Sequence, residues 1–130
     1  MYIDADILFA FLKPADRHLE FAKKIVGSKE KLYTSTVTIL ELELVVKREL
    51  NDFLARDILA AVLKNTPKLQ IIEFDRKTLQ KSLELQQQYS LGIFDSVHAA
   101  AALSKDKKIA STDHIFDRIT GLKRTGPEQD

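Results

Sequence analysis

The sequence contains no cysteine. That removes disulfides, thiol nucleophiles and thiolate metal sites, and it fits a reducing cytoplasm. Only four glycines and three prolines interrupt the 130 residues, so the chain has neither a low-complexity linker nor the compositional bias of disorder. No apolar run approaches the roughly 20 residues that span a bilayer, and Met1 leads straight into a strand pattern instead of a basic, then apolar, export signal. A soluble, cytoplasmic protein with no membrane role is expected. An excess of one charge is missing too: 20 Lys and Arg face 19 Asp and Glu, which gives no global pull toward nucleic acid. Small basic clusters at Lys23, Lys24, Lys29 and Lys31, at Lys105, Lys107 and Lys108, and at Lys123 and Arg124 read as solvated faces.

What is present is enough for one core. With 45% hydrophobic and 30% charged residues, residues 1–130 read as one domain, and a chain of this size buries roughly two thirds of its unfolded surface. Periodicity and punctuation predict a strand at 2–4, a helix at 6–12, a Lys-Pro break at 13 and 14, and a helix at 17–26 capped by Asp16 and closed by Gly27. KLYTS at 31–35 is a predicted strand, followed by a helix over about 38–48. A further helix starts at Asn51 or Asp52 and runs to about 64, and Pro67 ends that region. LQIIEF at 69–74 is a strand, Asp75 caps a helix to about Tyr89, and after Gly92 a helix covers about 95–104. KIAS at 108–111 is a strand, a short helix starts near 114, and LKRT supplies one last short strand. Strands alternating with helices predict an α/β fold: a three-layer α/β/α sandwich around a parallel sheet of about four to five strands.

Four acids fall at equivalent joints of that pattern. Asp4 follows the first strand, Glu41 lies in the first turn of the helix after the second, Asp95 begins a helix, and Asp113 follows KIAS. In a parallel sheet with right-handed crossovers these joints share one edge. Taken singly, each acid has a plain explanation: Asp6, Asp95 and Asp113 suit helix N-caps, and Thr38 with Glu41 fits a capping box. Two features speak for the set. Glu41, among Val37, Leu44 and Val45, points inward while Glu43 and Lys47 pair outward, and Asp95 lies in line with Ala99 and Ala102 of HAAAAL, whose small side chains let the helix approach the sheet. In addition, IDADIL, TVTILEL, GIFDSV and IASTD contain no Lys or Arg. Two carboxylates about 4 Å apart repel by roughly 4 kcal/mol at an effective dielectric of 20, so a cluster needs protons or a cation. All-oxygen ligands without Cys or paired His suit Mg²⁺ or Mn²⁺ better than structural zinc.

Asp4 in YIDADILFAF, Glu41 in STVTILELE, Asp95 in GIFDSVHAAAA and Asp113 in ASTDHIFDRI resemble the four acidic signatures of the PIN-domain nucleases, in order and spacing along nearly the whole chain. Asp6 departs from the pattern, which more often has Asn, Ser or Thr there, and reads as a cap. The resemblance implies a metal-dependent ribonuclease and, for a compact member, the toxin of a toxin–antitoxin pair acting on single-stranded or structured RNA. It also implies catalytic roles: Asp4 and Asp95 as principal metal ligands, Asp113 as a ligand directly or through water, and Glu41 positioning or deprotonating the attacking water. Ser111 and Thr112 read as structural hydroxyls, with bonding to an acid or metal water as the alternative. Asp117 reads as a partner for a nearby Arg, and His98 as a histidine packed on its helix. Rival readings are a haloacid-dehalogenase-like phosphatase using Asp4-x-Asp6 and Asp113 with Asp117, a receiver domain phosphorylated at Asp75, and a non-catalytic α/β binding module. Leu12, Phe21, Ile25, Phe53 and Leu54 are candidates for a homodimer interface or an antitoxin groove, with core packing as the plain alternative.

Overall fold

Asp4 ends the first strand and starts the first helix with no loop between them, because its own carboxylate Oδ1 accepts from the Ala5 N–H at 2.7 Å. The computed structural model describes residues 1–50 and 52–129, with side chains described outside 52–55 and 129. Its elements are β1 (Tyr2–Ile3), α1 (Ala5–Leu12), α2 (Leu19–Val26), β2 (Tyr33–Ser35), α3 (Thr36–Glu49), α4 (Asp52–Asn65), β3 (Gln70–Ile72), α5 (Arg76–Tyr89), α6 (Ile93–Leu103), β4 (Lys108–Ala110) and β5 (Lys123–Thr125), with short 3₁₀ helices at His114–Arg118 and Pro127–Gln129. The predicted α/β/α sandwich is the observed one. Five parallel strands lie in the order β3-β2-β1-β4-β5. No helix among the described residues is long and apolar enough to cross a membrane.

The two residues of β1 send their side chains to opposite faces, as strand geometry requires. Ile3 joins one core with Ile7, Leu8, Phe21, Ile25, Leu42, Val46 and Val62 from α1 to α4, and Tyr2 joins the other with Tyr33, Ile109, Phe116 and Ala99–Ala102 of α6. The alanines of α6 are each at most 1% exposed, so the helix lies directly on the sheet. The chain winds outward from β1 through β2 to β3 and then returns past β1 to β4. Strands β1 and β4 are neighbours whose crossovers leave in opposite directions, and the crevice at their carboxyl ends is where open α/β sheets bind ligands.

Several boundaries differ from the sequence reading, and each has a local cause. Helix α3 begins two residues early because the Ser35 hydroxyl, not Thr38, caps it by accepting from the Thr38 N–H at 3.2 Å. The Thr38–Glu41 capping box is therefore not formed, and Glu41 is the sixth residue of α3. Asp16 turns the chain by accepting from the His18 N–H at 2.8 Å but does not cap α2, which starts at Leu19. Asp75 does cap α5, accepting from the Thr78 N–H at 2.8 Å. Gly92 caps α6, so Asp95 is its third residue and not its cap. Strands β2 and β3 are three residues each, shorter than the predicted runs. Asn51 lies outside the described residues.

Candidate functional site

Asp4, Asp6, Glu41, Asp95 and Asp113 line one cavity of about 470 Å³ at the carboxyl end of the sheet, together with Phe9, Asp16, His18, Val45 and Thr112. Four elements deliver these acids. Asp4 and Asp6 come from the β1–α1 joint, Glu41 from the second turn of α3, Asp95 from the first turn of α6, and Asp113 from the cap of the 3₁₀ helix, where it accepts from the Ile115 N–H at 2.9 Å. Asp113 is thus a cap and a cavity residue at once. The ion pairs of the described residues bring no Lys or Arg to any of the five. The predicted lack of a local basic partner holds, but a counter-ion comes from elsewhere.

That counter-ion is His98. It is 1% exposed, and its Nε2 lies 2.8 Å from Glu41 Oε1 and 3.4 Å from Asp4 Oδ1. On the other side of the ring, Nδ1 lies 2.9 Å from the Tyr2 hydroxyl, which also meets Thr38 Oγ1 at 2.6 Å and Ser35 Oγ at 2.9 Å. Burial pulls the His98 pKa down, but the Asp4 charge and the bond to Glu41 outweigh it, so the imidazole holds its second proton well above the usual range. A doubly protonated ring donates from both nitrogens, which suits a carboxylate pair on one side and a hydroxyl on the other. His98 does not line the cavity; it stands behind Asp4 and Glu41 and orients them.

Hydroxyls complete the floor. Ser111 donates to Asp4 Oδ2 at 2.7 Å and accepts from the Asp113 N–H at 3.0 Å, and Thr112 donates both its N–H, at 2.8 Å, and its hydroxyl to Asp6 Oδ2. The Asp6 Oδ1 atom is buried and has no hydrogen-bond partner. Burial first, then the nearby Asp4 charge, push the Asp6 carboxyl up to about 7. Burial likewise raises Asp4 against the opposing pull of His98, and burial with the Asp113 charge raises Asp95. Acids held this way need protons or a cation at neutral pH.

The shifts carry a stability consequence with a definite sign. Folded Asp6 keeps a proton up to about pH 7, whereas an unfolded Asp releases it near 3.9. Its contribution is therefore fully present below about pH 4 and is lost as pH rises through about 7, at up to ~1.4 kcal/mol per pH unit. The raised values at Asp4 and His98 act in the same direction. Thermal melts with EDTA present should show a melting temperature that falls between pH 5 and pH 8. The Asp6→Asn variant should flatten that slope, and an unchanged slope would contradict the assignment.

A model of the PIN domain family matches residues 1–122. The chain belongs to the PIN domain family. Solved structures agree in fold. A chain of VapBC2 from Rickettsia felis, bound to a DNA fragment from their promoter, superposes with a TM-score of 0.75 at 17% identity, covering 96% of each chain. FitAcB from Neisseria gonorrhoeae gives a TM-score of 0.75 at 20% identity over 99% of each chain. VapC20 from Mycobacterium tuberculosis, a Sarcin-Ricin loop cleaving toxin, gives 0.73 at 14% identity, covering 87% of this chain and 89% of that one. Among curated proteins no sequence matches this chain.

In this PIN domain the four signature acids and Asp6 converge, with Ser111, Thr112 and His98 bonded to them, while Asp117 and Asp75 lie elsewhere. Asp117 does not line the cavity: its carboxylate takes two bonds of 3.0 Å from Arg124. Arg124, read as part of a solvated basic face, is only 4% exposed and also donates to Ser111 O at 3.0 Å, tying the β4 exit loop in place. Asp75 lines a different, larger cavity of about 800 Å³ beside α5 and α6. The phosphatase reading thus loses Asp117, though Asp4, Asp6 and Asp113 stay together, and the receiver reading loses Asp75 to another cavity. Asp6 is an inward acid and no cap. Sequence reasoning undervalued His98, Ser111 and Thr112; the available signal was that His98 lies one turn after Asp95 on the same inward face of α6, the face that carries the alanines.

Proposed function

We propose that this PIN domain is a Mg²⁺- or Mn²⁺-dependent ribonuclease that hydrolyses phosphodiester bonds in single-stranded or structured RNA, as the toxin of a toxin–antitoxin pair acting in the cytoplasm. The observation that carries the reading is the convergence of Asp4, Asp6, Glu41, Asp95 and Asp113 on one 470 Å³ cavity, with no Lys or Arg among the described residues in an ion pair with them. The donor set fits a hard divalent ion: Asp6 Oδ1 is buried and unpartnered, and carboxylate oxygens of Asp4 and Glu41 lie within 4.8 Å of each other. Asp4 and Asp95 are the proposed principal ligands, with Asp113 direct or through water. His98 belongs behind them, because its nitrogens are taken by carboxylates and Tyr2, and an ion such as Mg²⁺ retains waters that need the open cavity.

A bound divalent cation supplies a more acidic water and neutralises charge on the phosphodiester. The protein supplies the rest. Ser111 and the Ala5 N–H hold the Asp4 carboxylate in one orientation while leaving lone pairs toward the cavity. Half-buried Glu41, steadied on Oε1 by His98, is placed to receive a proton from the attacking water. Thr112 fixes Asp6 through Oδ2 and leaves Oδ1 without a protein partner.

The partner reading rests on the relatives being toxin–antitoxin proteins and on exposed apolar residues. These are not the predicted ones. Phe21 and Ile25 are core residues, Leu12 packs against that core, and the Phe53 and Leu54 side chains lie outside the described residues. Leu40 and Leu44 on α3, Leu79 and Leu83 on α5, and Ile93 are instead 46–71% exposed. We assign a homodimer to this surface; sedimentation at rising concentration should show self-association that Leu44→Glu reduces, and a concentration-independent monomer would refute it. The activity is tested with purified protein and labelled single-stranded RNA: cleavage with Mn²⁺ or Mg²⁺, stopped by EDTA, is expected, and cleavage that persists in EDTA would contradict the metal-dependent reading.

A further inference from the structure

The cavity is larger than a hydrated ion requires. Six waters, at about 30 Å³ each, fill well under half of 470 Å³. The same cavity is also lined by Phe9 of α1, by Asp16 and His18 of the α1–α2 connection, and by Val45 of α3. The chemistry of this wall is unlike that of the floor. Phe9 is half-buried, and the Lys13 ammonium lies over one face of its ring, 5.7 Å from the centroid, where a base would take its place or use the other face. His18 accepts from Arg17 Nε through its own Nε2 at 3.1 Å, which makes Nδ1 the protonated nitrogen and a donor. Asp16 is spent locally, holding the His18 N–H at 2.8 Å. Phe9 and His18 each carry a cation with them, Lys13 over the ring and Arg17 on the imidazole.

Acids alone repel a polyanion, so a nucleic acid entering this cavity needs attraction from cations beside them. We propose that Phe9 and His18 form a nucleobase subsite, in which one unstacked base of single-stranded RNA beside the reacting phosphate stacks on Phe9 and takes an edge hydrogen bond from His18, with Lys13 and Arg17 facing the backbone. This rests on the ribonuclease reading and adds to it where the substrate's base is held. An unstacked base on an aromatic face is the common mode of single-strand recognition, and each such stack contributes enough to change affinity roughly 5- to 100-fold.

The test compares wild type, Phe9→Leu and His18→Ala on a single-stranded RNA oligonucleotide and on the same oligonucleotide with an abasic site at the position flanking the cut. Leu at position 9 keeps apolar packing against the core, so the variant folds while the ring is lost. On the intact RNA, Phe9→Leu should raise KM by roughly tenfold with kcat nearly unchanged. Mn²⁺ affinity measured by calorimetry should equal wild type. On the abasic oligonucleotide wild type and Phe9→Leu should share one KM. A wild-type KM in Phe9→Leu on intact RNA, or a variant that still differs from wild type on abasic RNA, overturns the subsite. Wild-type protein that binds Mn²⁺ but leaves every RNA intact overturns the ribonuclease reading as well.

Discussion

Asp4→Asn is expected to lose RNA cleavage by at least about 10³-fold, and Mn²⁺ affinity with it, while melting no lower than the parent in EDTA. Stability survives because the amide can keep both local bonds: its oxygen accepts from the Ala5 N–H, now 2.7 Å from Oδ1, and its NH₂ can donate to the Ser111 hydroxyl, now 2.7 Å from Oδ2. The substitution also removes a buried charge whose pKa burial pushes upward, and His98 keeps its nearer partner Glu41 at 2.8 Å when Asp4, at 3.4 Å, is neutralised, so folding with EDTA present loses little and gains some relief from desolvation. Asp95→Asn should behave alike, since Asp95 makes no cap and is the third residue of α6. If the acids were only caps, each Asn variant would shift stability by tenths to about 1 kcal/mol and leave Mn²⁺ affinity alone. Joint loss of Mn²⁺ by both variants separates the two cases, with calorimetric titration as the measurement.

His98→Ala should destabilise the protein by about 3 kcal/mol at pH 7 in EDTA, a large part of the ~5–15 kcal/mol that holds such a domain folded. The ring is 1% exposed and is the basic group in contact with both Asp4 and Glu41. Its removal leaves a cavity, takes one of three partners from the Tyr2 hydroxyl on one side and faces two carboxylates with each other on the other. Breaking a buried pair by deleting one partner is costly for this reason. His98→Gln retains a donor and should lose less. Mn²⁺ should recover more stability in His98→Ala than in the parent, because the ion replaces the missing positive charge. Urea unfolding curves with and without Mn²⁺ check this, and a His98→Ala midpoint equal to the parent's would show that His98 balances no charge.

The architecture was legible because its signals are short-range. Asp75 capping α5, the Gly92 turn and the alternation of KIAS with helical stretches each act over a few residues, and they sufficed for the layers and the strand count. The convergence of Asp4, Glu41, Asp95 and Asp113 was legible from one rule about where strand ends lie in a parallel sheet. Caps were harder. Ser35, the last residue of β2, outcompeted Thr38 because the strand passes into α3 with no loop. The charge balance of the site was hidden for a different reason: His98 meets Glu41 across 57 residues and Ser111 meets Asp4 across 107, contacts that no local pattern encodes. Arg124 illustrates the same limit, since its burial follows from Asp117, Glu128 and Ser111 O closing around it, not from its own neighbourhood in Leu122–Thr125.

Crystals soaked in Mn²⁺, with anomalous scattering recorded at the manganese edge, test the central claim most directly. An anomalous peak about 2.1–2.3 Å from carboxylate oxygens of Asp4 and Asp95, inside the cavity in front of His98, is the expected result. A cavity with no peak at saturating Mn²⁺, or a peak seated only at some other surface, would contradict it.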